Sequence, residues 1–206
     1  MQFIIGTKGR MTQVYDEKGQ IHAATILNVT PATVTQVKNV EKDGYTAVQI
    51  AAGEQKEHRL NKAQVGHLGG SFKHIVEFRP RATHAESIDG IEKGAALDAS
   101  VFAVGDTVTV SAISKGKGFQ GGVKRHGFSG GRKSHGNKHH ERAVGSIGAT
   151  GPQRVFKGLR MPGRMGADRI TVKNLKVLQV HPSENILLVS GAVPGRPGTL
   201  VEVRSA

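Results

Sequence analysis

Residues 114–142 read Ser114-Lys-Gly-Lys-Gly-Phe-Gln-Gly-Gly-Val-Lys-Arg-His-Gly-Phe-Ser-Gly-Gly-Arg-Lys-Ser-His-Gly-Asn-Lys-His-His-Glu-Arg142. This stretch shows neither the apolar spacing of an amphipathic helix nor the alternation of a half-buried strand. Sequence with strand character precedes it and follows it. The pattern therefore predicts a β-rich body that is interrupted by one long, irregular and basic stretch.

Charge and glycine are concentrated in residues 115–166, which we call the basic segment. It holds twelve of the 29 Lys and Arg residues, a single acid (Glu141) and 14 of the 28 glycines, so its net charge is +11. The other 154 residues carry a net charge of only +2. A solubility tail normally lies at a terminus, whereas this segment is internal. Such an excess of positive charge predicts a polyanionic partner, and nucleic acid in particular.

Composition also excludes several classes of protein. The chain has no cysteine, so it has no disulfide framework, Cys-ligated zinc or cysteine nucleophile. No run approaches the ~20 apolar residues that a membrane helix needs, and the N-terminus lacks the pattern of a signal peptide. We therefore expect no membrane partner.

Outside the basic segment, short runs rich in β-branched residues alternate with Gly, Pro and Asp turn signals. The predicted strands are Phe3–Ile5 and, after a Gly-rich turn, Met11–Tyr15, then Ile21–Val29, Thr33–Val40, Tyr45–Ile50 after an Asp43-Gly44 hairpin turn, Phe102–Ile113, Arg169–Val180, Ile186–Val189 and Thr199–Val203. Pairing of the C-terminal strands with the N-terminal ones would remove exposed sheet edges. The fold class is thus predicted to be mainly β, with a small closed antiparallel β-barrel.

Residues 61–100 have a different pattern and predict a small α/β insert. Asn61 is expected to cap a helix that runs to Leu68, Phe72–Phe78 is expected to be a strand that ends at Arg79-Pro80, and Ile91–Leu97 a helical turn. The predicted organisation is 1–60 for the N-terminal part of the barrel, 61–100 for the insert, 101–114 for a barrel strand, 115–166 for the basic segment as a long irregular extension, and 167–206 for the C-terminal barrel strands.

The basic segment is better suited to folded RNA than to duplex DNA. A reader of the DNA major groove usually presents a rigid helix or ribbon, whereas scattered cations on an irregular peptide suit the narrow spaces between RNA helices. With little aliphatic surface, the segment alone is expected to be mobile. Its three Phe residues could stack on unpaired bases, or could instead pack within the segment itself.

The candidate RNA-binding residues are the cations, histidines and phenylalanines of the basic segment. They are Lys115, Lys117, Phe119, Lys124, Arg125, His126, Phe128, Arg132, Lys133, His135, Lys138, His139, His140, Arg142, Arg154, Phe156, Lys157, Arg160 and Arg164.

The sequence does not support an enzymatic or a metal-binding function. The stretch Gly127–Ser134 is not a phosphate loop, because Arg132 stands where the motif requires glycine before its lysine. His135, His139, His140 and Glu141 lack the spacing of a metalloprotease motif. We therefore expect no catalytic residue, no metal, no cofactor and no small-molecule substrate. A β-barrel RNA chaperone that acts outside any stable particle remains an alternative at this point.

Several strings together resemble one family. The run Ala112-x-Ser114-x-Gly116-Lys117-Gly118-x-x-Gly121-x-x-x-Arg125 resembles the signature of the universal large-subunit ribosomal protein L three, in its bacterial branch. Further strings continue the likeness in order along nearly the whole chain: Ile5-Gly-x-Lys8, Asp43-Gly-Tyr-Thr-Ala-Val48, Gly145-Ser-Ile-Gly148, Val155-Phe-Lys-Gly158, Met161-x-Gly163-x-Met165-Gly166 and Gly191-Ala-Val-Pro-Gly195.

The resemblance implies a translation-protein-type β-barrel whose basic extension runs through ribosomal RNA towards the peptidyl-transferase centre. It implies early binding during assembly of the large subunit, bracing of RNA without catalysis, neighbouring large-subunit proteins as further partners, and a place on the ribosome in the cytoplasm. The chain departs from the family pattern at Arg10, where glycine is usual, and at Thr109, where aspartate is common. Because Gln153 is out of register with the glutamine that some bacterial members methylate, that modification is not transferred.

Overall fold

The structure is a computed structural model, and it describes residues 2–16, 18–80, 88 and 90–206. Its contacts divide the chain into two compact units, one formed by Met1–Ile113 with Arg169–Ala206 and the other by Ser114–Asp168. The ends predicted for the basic segment, 115 and 166, lie within two residues of this division.

The described residues are mainly β. The strands are β1 (Phe3–Tyr15), β2 (Ile21–Val29), β3 (Ala32–Lys38), β4 (Ala47–Glu54), β5 (Phe72–Phe78), β6 (Ala96–Leu97), β7 (Thr107–Ile113), β8 (Gly118–Gln120), β9 (Gly163–Met165), β10 (Arg169–His181), β11 (Ile186–Ser190) and β12 (Leu200–Ser205). The helices are α1 (Val40–Asp43), α2 (Lys62–Leu68) and α3 (Gly122–His126), with short 3-10 turns at Glu57–Arg59, Ala99–Val101 and Pro182–Glu184. No helix in this part of the chain is both long and apolar enough to span a bilayer.

Six strands of the first unit form a closed ring of antiparallel pairs in the order β1-β12-β7-β10-β11-β2, and β2 pairs back onto β1. Strands from the two ends of the chain therefore meet, as predicted: Ile4 on β1 is paired with Val203 on β12. Closure gives every one of the six strands two hydrogen-bonded neighbours, which removes the exposed edges that an open sheet would have.

A second sheet of the same unit has the order β5-β4-β3-β6. The prediction that residues 33–50 contribute barrel strands is wrong, because β3 and β4 pair with each other and with β5 and β6 rather than with the ring. Val48 and Ile50 are both fully buried on a strand with a neighbour on each side, so β4 lies at the centre of a separate sheet.

The first strand supplies both hydrophobic cores. Because successive side chains of a strand point to opposite faces, Ile4 enters the cluster inside the ring, while Phe3 and Ile5 enter the cluster shared with the second sheet. The ring of Phe3 stacks on that of Phe78, with centroids 4.5 Å apart. One apolar tripeptide at the start of the chain thus packs against both sheets.

The insert is predicted correctly in two of its three elements. Asn61 is the N-cap of α2, with its N–H donating to Gln64 Oε1 at 3.3 Å, and β5 ends before Arg79. The helical turn expected over Ile91–Leu97 is wrong. The Gly94 N–H donates to the Val34 carbonyl at 2.8 Å, and this stretch continues into β6 at the edge of β3, because strand pairing satisfies backbone groups that one helical turn would leave open.

Two turn predictions also change. The Gly-rich stretch between Phe3 and Tyr15 is no turn: β1 continues through it with a register shift between Lys8 and Met11. A Cβ at Gly6 would lie only 2.5 Å from the Asn28 carbonyl oxygen, so glycine there permits close pairing with β2. The Asp43-Gly44 connection contains α1 and ends at Gly44 with a φ of +78°, and is therefore a helical turn between β3 and β4.

Ile4→Ala and Ile21→Ala form a matched test of the ring core. Ile4 is 1% exposed inside the ring, whereas Ile21 is 58% exposed. Ile4→Ala is expected to lower the free energy of unfolding by about 2–5 kcal/mol through lost burial and a new cavity. Ile21→Ala is expected to cost less than about 1 kcal/mol. Urea titration followed by circular dichroism measures both, and equal losses would show that Ile4 is not a core residue.

Candidate RNA interface

The two limbs of the Ser114–Asp168 unit are joined by a short antiparallel ladder. Strands β8 and β9 pair Gly118 with Met165, and the Lys117 N–H donates to the Met165 carbonyl at 2.9 Å. Gly166, with a φ of +77°, permits this approach, because a Cβ there would lie 2.2 Å from the Lys115 carbonyl oxygen. The prediction that residues 114–142 lack regular structure is therefore wrong at β8, and also at α3.

Helix α3 contacts the part of the chain that leads into β9, and it does so through side chains at its C-terminal end. It ends at Gly127, which has a φ of +71° and donates its N–H to the Val123 carbonyl. Arg125 Nη1 donates to the Met161 carbonyl at 2.6 Å, and His126 Nε2 lies 3.0 Å from the same oxygen. Arg125 is half-buried. Part of its hydrogen-bonding capacity is therefore used inside the protein.

The unit has almost no core. Gly122 is the one buried residue among 114–168, all of which are described. A Cβ at this position would lie 2.8 Å from the Phe128 ring and 3.2 Å from Val144, so absence of a side chain lets these two residues close over the helix. Phe128 is half-buried, and its packing within the segment fits the alternative left open from the sequence. Phe119 and Phe156, in contrast, are 77% and 55% exposed.

Almost all the charge of the basic segment faces solvent. Of its twelve cations only Arg125 is half-buried, and the exposed ones are Lys115, Lys117, Lys124, Arg132, Lys133, Lys138, Arg142, Arg154, Lys157, Arg160 and Arg164. No ion pair involves any residue of 114–168, which are all described. The positive field of the segment is therefore not neutralised by the protein, and it remains available to an anion.

A loop within the segment is closed by glycine at its base. The Gly131 N–H donates to the Glu141 carbonyl at 2.9 Å, while Gly130, with a φ of +73°, leaves no room for a Cβ beside the same oxygen. Inside the loop, Asn137 Nδ2 donates to the Arg132 carbonyl at 2.6 Å. The exposed side chains that this loop carries are Arg132, Lys133, His135, Lys138, His139 and His140.

These histidines do not assemble into a metal site. No group of three or more His, Cys, Asp or Glu residues with suitable geometry occurs in the described ranges. Exposed imidazoles among cations instead offer hydrogen-bonding and stacking groups to a nucleic acid.

Sequence reasoning missed a set of exposed apolar side chains near residues 145–160. They are Ile147, Val155 and Leu159. The signal was visible as aliphatic residues inside Gly-rich, charged sequence, where no core could bury them. The ring of Phe156 lies in the same stretch, with the Arg154 guanidinium carbon 5.6 Å from its centroid. Apolar and guanidinium surfaces are thus presented together, a combination that suits sugars and base faces.

Arg125→Gln and Arg142→Gln separate a structural cation from an exposed one. Arg125→Gln is expected to speed exchange of the Lys117 amide by at least about tenfold, because it removes a charged hydrogen bond that holds the limb leading into β9. Arg142 is exposed and makes no described side-chain bond, so Arg142→Gln should leave this rate unchanged. Amide exchange by NMR on the full chain measures both. Equal rates in the two variants would remove the role assigned to Arg125.

Comparison with known proteins identifies the family of this chain. The family model described as Ribosomal protein L3 matches residues 9–185. The chain is 43% identical over 203 residues to a large ribosomal subunit protein uL3 of Carboxydothermus hydrogenoformans, covering 98% of this chain and 96% of that protein. It is 46% identical over 203 residues to one of Geobacillus sp. strain WCH70, covering 98% of this chain and 95% of the relative. The chain belongs to the ribosomal protein L3 family.

Proposed function

We propose that this protein is a structural component of the bacterial large ribosomal subunit, and that it binds ribosomal RNA through residues 115–166. The observation that carries the proposal is the set of eleven exposed cations with no ion-pair partner in a unit that buries one residue. The relatives at 43% and 46% identity, named as large-subunit proteins, support this assignment. Its place is on the ribosome in the cytoplasm, and its role is architectural, not enzymatic.

The mechanism is phosphate neutralisation combined with fitting of shape. Exposed Lys and Arg side chains displace counterions from RNA phosphates, and the release of those ions favours binding. Glycines without Cβ atoms let the backbone approach crowded grooves. Phe119 and Phe156 are exposed enough to stack on unpaired bases, whereas Arg125 acts first by holding the segment in shape.

We further propose a division of labour that follows the family resemblance. The six-stranded ring is a barrel of the translation-protein type that docks on the RNA surface beside neighbouring large-subunit proteins. The basic segment is an extension that enters the RNA early in assembly and braces it near the peptidyl-transferase centre. A chaperone acting outside the particle would associate only transiently. Stoichiometric co-sedimentation with large subunits in a sucrose gradient would support the structural role.

The salt dependence of binding tests phosphate neutralisation. If about 8–10 phosphates are contacted, the logarithm of the affinity for a large-subunit RNA transcript should fall with the logarithm of salt concentration with a slope of about −6 to −9. Filter binding over a series of potassium chloride concentrations gives this slope. A slope of about −2 would mean that only two or three phosphates are neutralised, which contradicts the mechanism.

Arg142→Gln tests the contribution of one exposed cation. It should weaken binding to the transcript and reduce the steepness of the salt slope by about 0.7–0.9 through loss of one phosphate contact. Thermal melting should not change, because Arg142 is exposed and has no described partner. Lys42→Gln, at an exposed lysine of α1, is the matched control and should leave the slope unchanged. Identical slopes in the two variants would exclude Arg142 from the interface.

A further inference from the structure

The Ser114–Asp168 unit contains a cleft of about 720 Å³. It is lined by residues 126–131, by His140, by residues 143–145 and by Arg160. Such a volume is in the range of sites for small organic groups, which is about 300–1,000 Å³, and far exceeds the space that a phosphate fills. If the segment binds RNA as proposed above, this cleft is large enough to hold one chemical group of that RNA.

One wall of the cleft is built for stacking. The ring of Phe128 has the Arg160 guanidinium carbon 5.2 Å from its centroid and the His126 ring centroid 5.7 Å away. Packing against Gly122 holds Phe128 half-buried at this place. Aromatic rings and guanidinium planes are the surfaces on which proteins stack unpaired RNA bases. The three side chains therefore form a preassembled stacking wall.

Another part of the lining has small side chains and free backbone groups. Ser129, Gly130 and Gly145 present little side chain, and their N–H groups donate to no acceptor in the described part of the chain. Such groups can hydrogen-bond the edge of a base. The loop base formed by Gly131 and Glu141 fixes this lining in place. Hydrogen-bonding groups thus lie beside a stacking wall in one cleft.

We propose that this cleft receives one unpaired nucleobase of the ribosomal RNA. The base stacks against Phe128 and Arg160, and its edge is hydrogen-bonded by backbone groups of the glycine-rich lining. Arg160 is the one Lys or Arg in the lining, so the cleft is poorly suited to several phosphates and well suited to a flat, neutral ring next to one phosphate. Phe128 is thereby a packing residue of the segment and a binding residue at the same time.

Titration of the isotope-labelled full chain with the four nucleoside monophosphates tests this site. At least one nucleotide should shift the amide resonances of Gly130 and Gly145, while ribose 5-phosphate at equal concentration should not. Phe128→Leu keeps apolar packing on Gly122 but has no π face. It should weaken the nucleotide response by roughly 5- to 150-fold, the range for loss of one stacked base. Tyr15→Leu, at an exposed aromatic residue outside the unit, should respond like the parent protein.

Three outcomes would overturn the proposal. Equal shifts with ribose 5-phosphate would show a phosphate site only, and absence of shifts with every nucleotide would show that no base enters. An unchanged response in both Phe128→Leu and Arg160→Gln would place binding elsewhere, with Arg160→Gln serving as the second variant in case Phe128→Leu disturbs the local fold. Binding to the large-subunit RNA transcript is measured in parallel. Tight, salt-dependent binding of the transcript without nucleotide shifts would reject the base site but not the proposed function. Absence of transcript binding by the parent protein would reject the proposed function.

Discussion

The constraint on which this structure depends is a density of positive charge that the protein does not neutralise. In the basic segment the sole acid is Glu141, and none of its cations takes part in an ion pair within the fully described unit 114–168. Mutual repulsion between these charges opposes compaction, and one buried residue contributes little hydrophobic stabilisation against it. The proposed RNA partner would relieve both problems, since phosphates would neutralise the charge and close packing would supply contacts that the segment cannot make alone.

Backbone contacts replace the missing core within this unit. At Gly130 and Gly166 the chain approaches a carbonyl oxygen so closely that no other residue would fit, and at Gly122 a Cβ would lie 2.8 Å from the Phe128 ring. Each contact fixes a local shape without burying aliphatic surface. Arg125 and His126 add a polar connection through the Met161 carbonyl. These glycines therefore define where the segment is narrow, and the packing of Phe128 on Gly122 in turn shapes the cleft beside that ring.

The sequence predicted features that depend on local pattern and missed those that depend on partners distant along the chain. Ile21–Val29 was predicted with its exact ends, because a long β-branched run bounded by turn residues has one favourable structure. The positions of β3 and β4 in a second sheet depend on pairing with β5 and β6, which periodicity does not encode. Arg125 was predicted as an RNA ligand because all arginines look alike in sequence, and only the carbonyl of Met161, 36 residues away, distinguishes it. The exposed Ile147 was missed because a single aliphatic residue has no periodicity that would mark it as buried or exposed.

The two units obtain their order from different sources, and this difference bears on affinity. In the first unit, Phe3, Ile4 and Ile5 are buried on both faces of one strand. Burial of apolar side chains therefore offsets the conformational entropy that the ring and the second sheet lose on folding. If the second unit binds RNA as proposed, the partner would supply much of its stabilisation, and any ordering of its residues on binding would make the net free energy of association less favourable. Preformed elements such as the β8–β9 ladder and the Phe128 wall lower that entropic cost, because the groups they hold need no further ordering. For the proposed function, partial order without a core would be a compromise: the segment could adapt to an RNA surface, while a few glycine-dependent contacts would keep parts of it preorganised for binding.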